Sequence, residues 1–276
     1  MHSKPWKPLS AVGWLALVGA LALIGPAQAQ AQELQRERAS IVLGAFITDR
    51  DTETRLDSDF GPGSDIELED DLGLESSTTV FRFGADVWIK PRQRFDFTLF
   101  DLSRSATREI SETFVFGDQT FDINTVVSTE SDLTIGKIDY TFAVVNKDRG
   151  YLGLTGGLYI ASTKLTLSEP NLGSTESEDL TAPLPVVGLR GEYAVTDRIT
   201  IRGASQWFSV DFEDTSGSLR DTYVAADYRF GSRFALGLAY NEVTMNITAE
   251  DSGGWMGRLD WGYDGWLLYL KTDFGR

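Results

Sequence analysis

The chain has 276 residues and a formal net charge of −16, with 42% hydrophobic and 24% charged side chains, a balance that excludes an intrinsically disordered chain. A mean hydropathy of −0.17 argues against a bundle of membrane-spanning helices. Cysteine is absent and the one histidine is His2, so disulfides and thiolate–zinc sites are excluded.

The first element in chain order reads as an export signal. Lys4 and Lys7 give it a basic start. Ala11 to Ile24 form an apolar run too short to span a bilayer, and Ala27-Gln28-Ala29 supplies the small–x–small pattern of a cleavage site. Residues 1–29 are expected to be a signal peptide, 30–39 a short periplasmic segment and 40–276 the folded domain. Cleavage would remove His2, Lys4 and Lys7 and leave a still more acidic chain. An exported chain without cysteine fits a bacterial envelope.

From Ser40 onward the apolar residues recur with period two, the signature of a strand with unlike faces. The expected strands are Ser40–Arg55, Ser76–Ile89, Arg94–Val115, Phe121–Val145, Tyr151–Leu167, Leu184–Val195, Arg198–Phe212, Arg220–Phe230, Arg233–Thr248 and Trp255–Phe274. In the second of these, Phe81, Phe83, Ala85, Val87 and Ile89 share one face, and Arg82, Gly84, Asp86 and Trp88 share the other. The connections alternate as well. Short basic turns fall at residues 90–94, 146–149, 196–198 and 231–233; between them lie connections at 57–75, 116–119, 169–182, 214–218 and 251–254, several of them long and most acidic or rich in Gly and Ser.

About ten strands of this kind, an even number, with one style of connection at each end, point to an all-β fold. The expected fold is a closed antiparallel up-and-down transmembrane β-barrel. A closed sheet pairs every backbone group and leaves no edge in lipid. A soluble sandwich fits less well, because charge stands at mid-strand on the polar face. The apolar faces should therefore meet lipid, with Phe95, Phe142, Tyr193, Tyr228, Phe230 and Phe234 forming an interfacial girdle near the short turns. In the last strand, Trp266, Leu268, Leu270 and Phe274 form one apolar row, while Leu259, Trp261 and Tyr263 form another of opposite parity. A β-bulge is expected at Asp264-Gly265 to reconcile the two.

An aromatic, alternating last strand that closes near a terminal Phe resembles the assembly signal of bacterial outer-membrane β-barrel proteins. Trp266, Leu268, Leu270 and Phe274 carry the resemblance, although Gly275 and Arg276 follow the aromatic here. It implies recognition by the barrel assembly machinery, a bacterial outer-membrane location, and outer-membrane lipid and lipopolysaccharide as surroundings. The chain is similar, loosely, to small porin-like and OmpW-like barrels.

Parity assigns a charge network to the lumen: Arg82, Asp86, Asp96, Lys137, Asp139, Arg190, Glu192, Arg202, Asp227, Arg229, Arg258, Asp260 and Lys271, with Asp264 and Asp273 in the same rows. Nearly balanced signs in a narrow barrel should pair across strands and close the interior. The alternative is a narrow porin-like channel for ions or small solutes. The excess acid lies in the outer connections, where Asp57, Asp59, Asp65, Glu67, Glu69, Asp70 and Asp71 crowd one segment without an intervening Lys or Arg. Such a run is usually a solvated face; its functional reading is Ca2+ or Mg2+ held by carboxylate oxygens, or bridged to lipopolysaccharide phosphates. No other cofactor is expected. With no histidine after residue 29 the usual general base is missing, so no enzymatic activity is expected, nor any nucleic-acid partner. The expected role is structural or interactive, through the acidic loops.

Overall fold

A computed structural model of the protein describes residues 38–57, 62–169, 174–212, 215–249 and 256–275. The expected signal peptide, most of the segment after it, and Asp59 lie outside the described residues. The elements are β1 (Ala39–Leu56), the two-residue β2 (Ile66–Glu67), β3 (Ser77–Lys90), β4 (Gln93–Glu109), β5 (Phe114–Phe116), β6 (Gln119–Phe121), β7 (Val126–Lys147), β8 (Gly150–Glu169), β9 (Ser174–Ala194), β10 (Ile199–Phe212), β11 (Thr215–Arg229), β12 (Phe234–Ala249) and β13 (Gly257–Phe274). Ten long strands pair antiparallel in chain order, and β13 returns to pair with β1, which closes the sheet into a barrel. β2 pairs with β1 alone, and β5 and β6 make a separate hairpin.

The outer wall changes chemistry at one level. On β1 the outward row runs Ile41, Leu43, Ala45, Ile47 and then Asp49, Asp51, Glu53, Arg55. On β13 it runs from Phe274 through Leu270, Leu268 and Trp266 to Asp264 and Asp260. On β12 it passes from Leu236, Leu238 and Tyr240 to Glu242 and Thr244. The register aligns these switches: Trp266 lies opposite both Ile47 and Tyr240, and Asp264 opposite both Asp49 and Glu242. Below the line is a continuous apolar belt, in which Leu43 is 59% exposed, Leu154 58% and Leu268 54%. The stretch Trp266–Phe274 is roughly 26 Å of strand at ~3.3 Å per residue, the scale of a barrel's lipid-facing band. Above the line is a polar collar.

Three expectations are corrected. Residues 110–125 do not continue the barrel: Phe114, Phe116 and Phe121 fold inward as the β5–β6 hairpin and cap the bore with Ile66, Leu68, Leu72 and Leu74. Residues 169–182 are not a long loop, because β8 and β9 pair from Ala161↔Ala182 up to Glu169↔Ser174. There is no bulge at Asp264-Gly265: the pairing of β13 with β1 and β12 runs through it without a shift. The register shifts instead between Trp88 and Lys90 and between Ala143 and Val145, both at the short-turn end. Parity along β13 is constant; it is the surroundings that invert.

One ladder is incomplete. β9 and β10 pair only from Ala194↔Thr200 to Val187↔Trp207. The Ala194 N–H donates towards β8, to the Arg149 carbonyl at 2.7 Å. Hydrogen-bonding direction alternates along an antiparallel strand, so positions 183 and 185 would donate towards β10. Both are prolines and have no N–H to give. Above Val187 the wall parts into a groove of about 270 Å³ lined by Leu180, Ala182, Leu184, Phe208, Val210 and Ile247, among others.

Candidate functional site: the filled bore

The lower bore holds interlocked ion pairs. Arg94, buried on β4, is within 3.2 Å of Asp86, 2.6 Å of Asp96 and 3.5 Å of Glu192. Its guanidinium also lies near the Trp88 and Tyr151 rings, at 5.8 and 5.9 Å. Arg190 joins Asp96 at 3.4 Å and Asp139 at 3.0 Å, and Gln206 donates to Asp139 at 2.8 Å. Arg202 pairs with Asp227 at 2.7 Å and donates to the Tyr269 hydroxyl at 2.7 Å; that hydroxyl in turn donates to Asp227. Near the short-turn end Asp273 takes Lys271 at 3.1 Å, Arg229 at 3.3 Å and the Ser40 hydroxyl at 3.0 Å.

Glycine makes the Tyr269 contact possible. Gly237 stands between Tyr269 and Asp227 in the register, and a Cβ there would lie 2.0 Å from the Tyr269 ring. The ring lies over the bare backbone and reaches the carboxylate one strand beyond.

Higher up, a polar chain crosses the bore. Arg82 on β3 donates to the Asn241 side-chain oxygen at 2.7 Å. Asn241 on β12 donates to Asp221 on β11 at 2.7 Å, and Asp221 pairs with Lys137 on β7. Arg82 also faces the Phe46 and Phe100 rings at 5.5 and 5.1 Å. Above it the bore is apolar: Phe46, Phe100 and Tyr263 meet edge to face at 5.5 to 5.9 Å, and Trp261 packs on Tyr263 at 5.1 Å. Burial of this kind is what packs a soluble core.

Arg82, Asp86, Asp96, Lys137, Asp139, Arg190, Glu192, Arg202, Asp227, Arg229 and Lys271 all point into the bore and are brought together there. Arg258 and Asp260 do not, and neither does Asp264. Arg258 and Asp260 pair with each other on the outer collar, with Glu53 3.6 Å from Arg258. Asp264 accepts from the Tyr240 hydroxyl at 2.9 Å, also outside. An inward place for them requires that their apolar neighbours face lipid, and at this height Trp261 and Tyr263 face the core. Parity reasoning missed Arg94, Asp221, Asn241 and Gln206. Arg94 falls at the junction of the basic turn 90–94 and the strand that starts there, and it shares a face with Asp96. Trp266, Leu268, Leu270 and Phe274 form an exposed outward row.

The acids of the 57–71 segment are divided among separate partners. Asp57 binds Arg55 at 2.9 Å and the Gly63 N–H at 2.9 Å, and Asp65 lies 3.8 Å from Arg55. Glu69 pairs with Arg104 and accepts from the Thr52 N–H at 3.0 Å. Asp71 accepts from the Glu67 N–H at 2.9 Å, and the Asp70 carbonyl accepts from Arg108 at 2.6 Å. Among the described residues no three acids converge on a point where an ion would sit. Burial, helped by the nearby charges of Asp70, Asp71, Glu53 and Asp51, pushes the Glu67 carboxyl above the usual carboxylate value.

No family model and no curated protein matches this chain. Among solved structures it is similar to the outer membrane protease OmpT from Escherichia coli, with a TM-score of 0.52 at 11% identity, covering 89% of this chain and 99% of that one. The transport unit of the autotransporter AIDA-I from Escherichia coli matches with a TM-score of 0.43 at 9% identity, over 96% and 98% of the two chains. Ail of Yersinia pestis matches with 0.39 at 11%, over 87% and 100%. At such identities the OmpT likeness is one of fold. The chain has the closed β-barrel fold, and its exposed apolar belt is of the height that a bilayer's hydrocarbon core demands.

Proposed function

We propose that this chain is a non-enzymatic outer-membrane barrel, closed to solutes, that acts through the acidic collar it holds above the bilayer. One observation carries the closed reading: the Arg82–Asn241–Asp221–Lys137 chain crosses the bore from wall to wall beneath an aromatic layer. Among the described residues Arg94, Lys137, Arg190, Arg202, Arg229 and Lys271 each have an acid beside them, which opposes a filter for ions of one sign. The collar supports the interaction reading. Asp49, Asp51, Asp101, Glu130, Asp132 and Asp264 all face outward and are exposed, and a ring of like charge steers basic partners towards the rim. The lack of histidine after residue 29 supports the non-enzymatic reading.

Planar-bilayer recording tests the closed bore. The purified barrel is expected to insert without steady current, and step-like conductance in the wild-type protein would overturn this reading. For the collar, nanodisc-embedded barrel should be retained on a polylysine surface at low salt. Replacing Asp49, Asp51, Asp101 and Asp132 with Asn should release it; retention unchanged by those replacements would exclude the collar as the binding surface.

A further inference from the structure

The gap between β9 and β10 opens at the level where the apolar belt meets the polar collar. Facing outward, β9 stays apolar through Val187, Pro185 and Pro183 and turns polar at Thr181; β10 carries Trp207 outward, then Ser209 and Asp211. The ladder stops at Val187↔Trp207, where both strands are still apolar outside. Continued in that register, Ser209 would face Pro185 and Asp211 would face Pro183. The Arg198 carbonyl accepts from Arg229 of β11 at 2.8 Å, so by alternation the N–H groups of Ser209 and Asp211 point the other way, towards β9. The ladder gives them no partner.

Behind this rim the groove is apolar. Leu180, Ala182 and Leu184 line it from β9, Phe208 and Val210 from β10, and Ile247 from β12. Val210 belongs to the inward row of β10, with Gln206 and Phe208, yet it is 39% exposed, as a residue beside an open seam must be. Between β10 and β12 the floor is Gly217, opposite both Val210 and Ile247. A Cβ there would stand 3.5 Å from the Phe208 ring and 3.7 Å from Val210. The bare backbone lets the groove run inward from β10 for ~10 Å, two strand spacings. Its volume of about 270 Å³ falls below the ~300–1,000 Å³ of clefts that enclose drug-sized ligands.

We propose that the seam is a docking site for one acyl chain of a zwitterionic phospholipid, turned sideways from the leaflet through the gap with its ester carbonyl at the rim. The proposal rests on the belt meeting lipid. Three features set the class. The groove is continuous with the belt through Val187 and the two prolines, so hydrocarbon borders its mouth. The Ser209 and Asp211 N–H groups stand at the top of the apolar band, the level of a lipid's ester oxygens. Asp179 and Asp211 are exposed on the two sides of the gap, which disfavours an anionic headgroup and suits one that carries an ammonium. The chain leaves one apolar surrounding for another; the gain lies in covering a groove wall that otherwise meets water.

Photolabelling tests the assignment. The purified barrel is placed in phosphatidylcholine nanodiscs doped with a phosphatidylcholine that carries a diazirine on one acyl chain, irradiated, and mapped by peptide mass spectrometry. Label is expected on the inward-facing Ala182, Phe208 and Val210 as well as on the outward Val187 and Leu268. Leu102 and Tyr269, buried in the bore, should stay unlabelled. Ala182→Trp fills the groove with its own ring and should cut the inward labelling about tenfold or more, with the belt labels unchanged. Should that variant fail to fold, Pro183→Val with Pro185→Val restores two donors to the ladder and is expected to close the seam to the same effect. Belt labels without groove labels, inward labels that these substitutions leave unchanged, or equal labelling of Leu102 and Tyr269 would each overturn the docking site. Absence of label on the belt itself would instead remove the lipid-facing reading on which it rests.

Discussion

The lower and upper halves of this barrel fill the same bore with opposite chemistry. In the lower half the wall is apolar outside and ionic inside; in the upper half it is polar outside and apolar inside. β13 carries both patterns on one unbroken parity: Leu268 and Leu270 outward over Tyr269 and Lys271 inward, then Asp260 and Asp264 outward over Trp261 and Tyr263 inward. The difference teaches that strand alternation reports contrast between two surroundings, not which of them is inside. Hydrocarbon accepts only apolar side chains, so the charges of the lower half must turn inward and pair. Above the membrane, water takes the polar row and the hydrophobic effect fills the bore.

The sharpest break of this comparison is at the ionic level. Arg94→Ala takes the paired guanidinium from Asp86 and Glu192 and leaves Asp96 with Arg190 alone, and a loss of ~3–5 kcal/mol is expected from an uncompensated buried charge. Urea unfolding in lipid vesicles measures it; a loss below about 1 kcal/mol would mean that water already enters the lower bore. On the outer wall the two halves should respond oppositely to the same kind of change. Leu270→Arg places a charge in the belt and should cost ~2–4 kcal/mol, whereas Asp264→Arg, on the collar of the same strand, should stay within about 0.5 kcal/mol. Equal costs in the same unfolding assay would remove the inversion line drawn between them.

Gly237→Ala asks how tightly the lower half is fitted. The added methyl would meet the Tyr269 ring and should cost ~1–3 kcal/mol by overpacking, read as a lower urea midpoint and a changed Tyr fluorescence. The smallest effect belongs to the outer segment. The Glu67 carboxyl has its folded value raised above 4.5, by burial first and then by neighbouring acids. A raised carboxyl binds its proton more tightly in the folded state, so its contribution is fully present below the unfolded value and is lost as the pH climbs through the folded one. Amides of residues 68–74 should therefore exchange more slowly near pH 4.5 than near pH 7, after correction for intrinsic rates. Equal protection at the two values would remove Glu67 as a cause.

How much of this was legible in the sequence varied with height. In the belt the two surroundings differ most, so Phe81, Leu189 and Val224 alternate cleanly with Arg82, Arg190 and Tyr223, and the lumen rows could be read by parity. In the upper β8–β9 hairpin, Thr175, Ser177 and Thr181 face out while Glu176 and Glu178 face in. Both rows are polar there, no period shows, and the stretch reads as loop. The Phe114–Phe121 hairpin has the right residues for a wall strand and serves as a lid. The seam is a mixed case. Pro183 and Pro185 are visible as ladder breakers, but which neighbour loses its donors depends on the direction of the Ala194 N–H.

The sequence by itself determined the fold class, the even number of long strands and the charged rows of the lower bore. Each of these follows from local periodicity and turn chemistry, which a single strand carries within itself. Tertiary structure alone decided that Trp261 and Tyr263 turn inward without a bulge and that Arg94 stands at the centre of the ion pairs. These depend on what stands across the bore, and partners there come from strands far apart in the chain. Alternation specifies a face; only closure of the barrel specifies what that face meets.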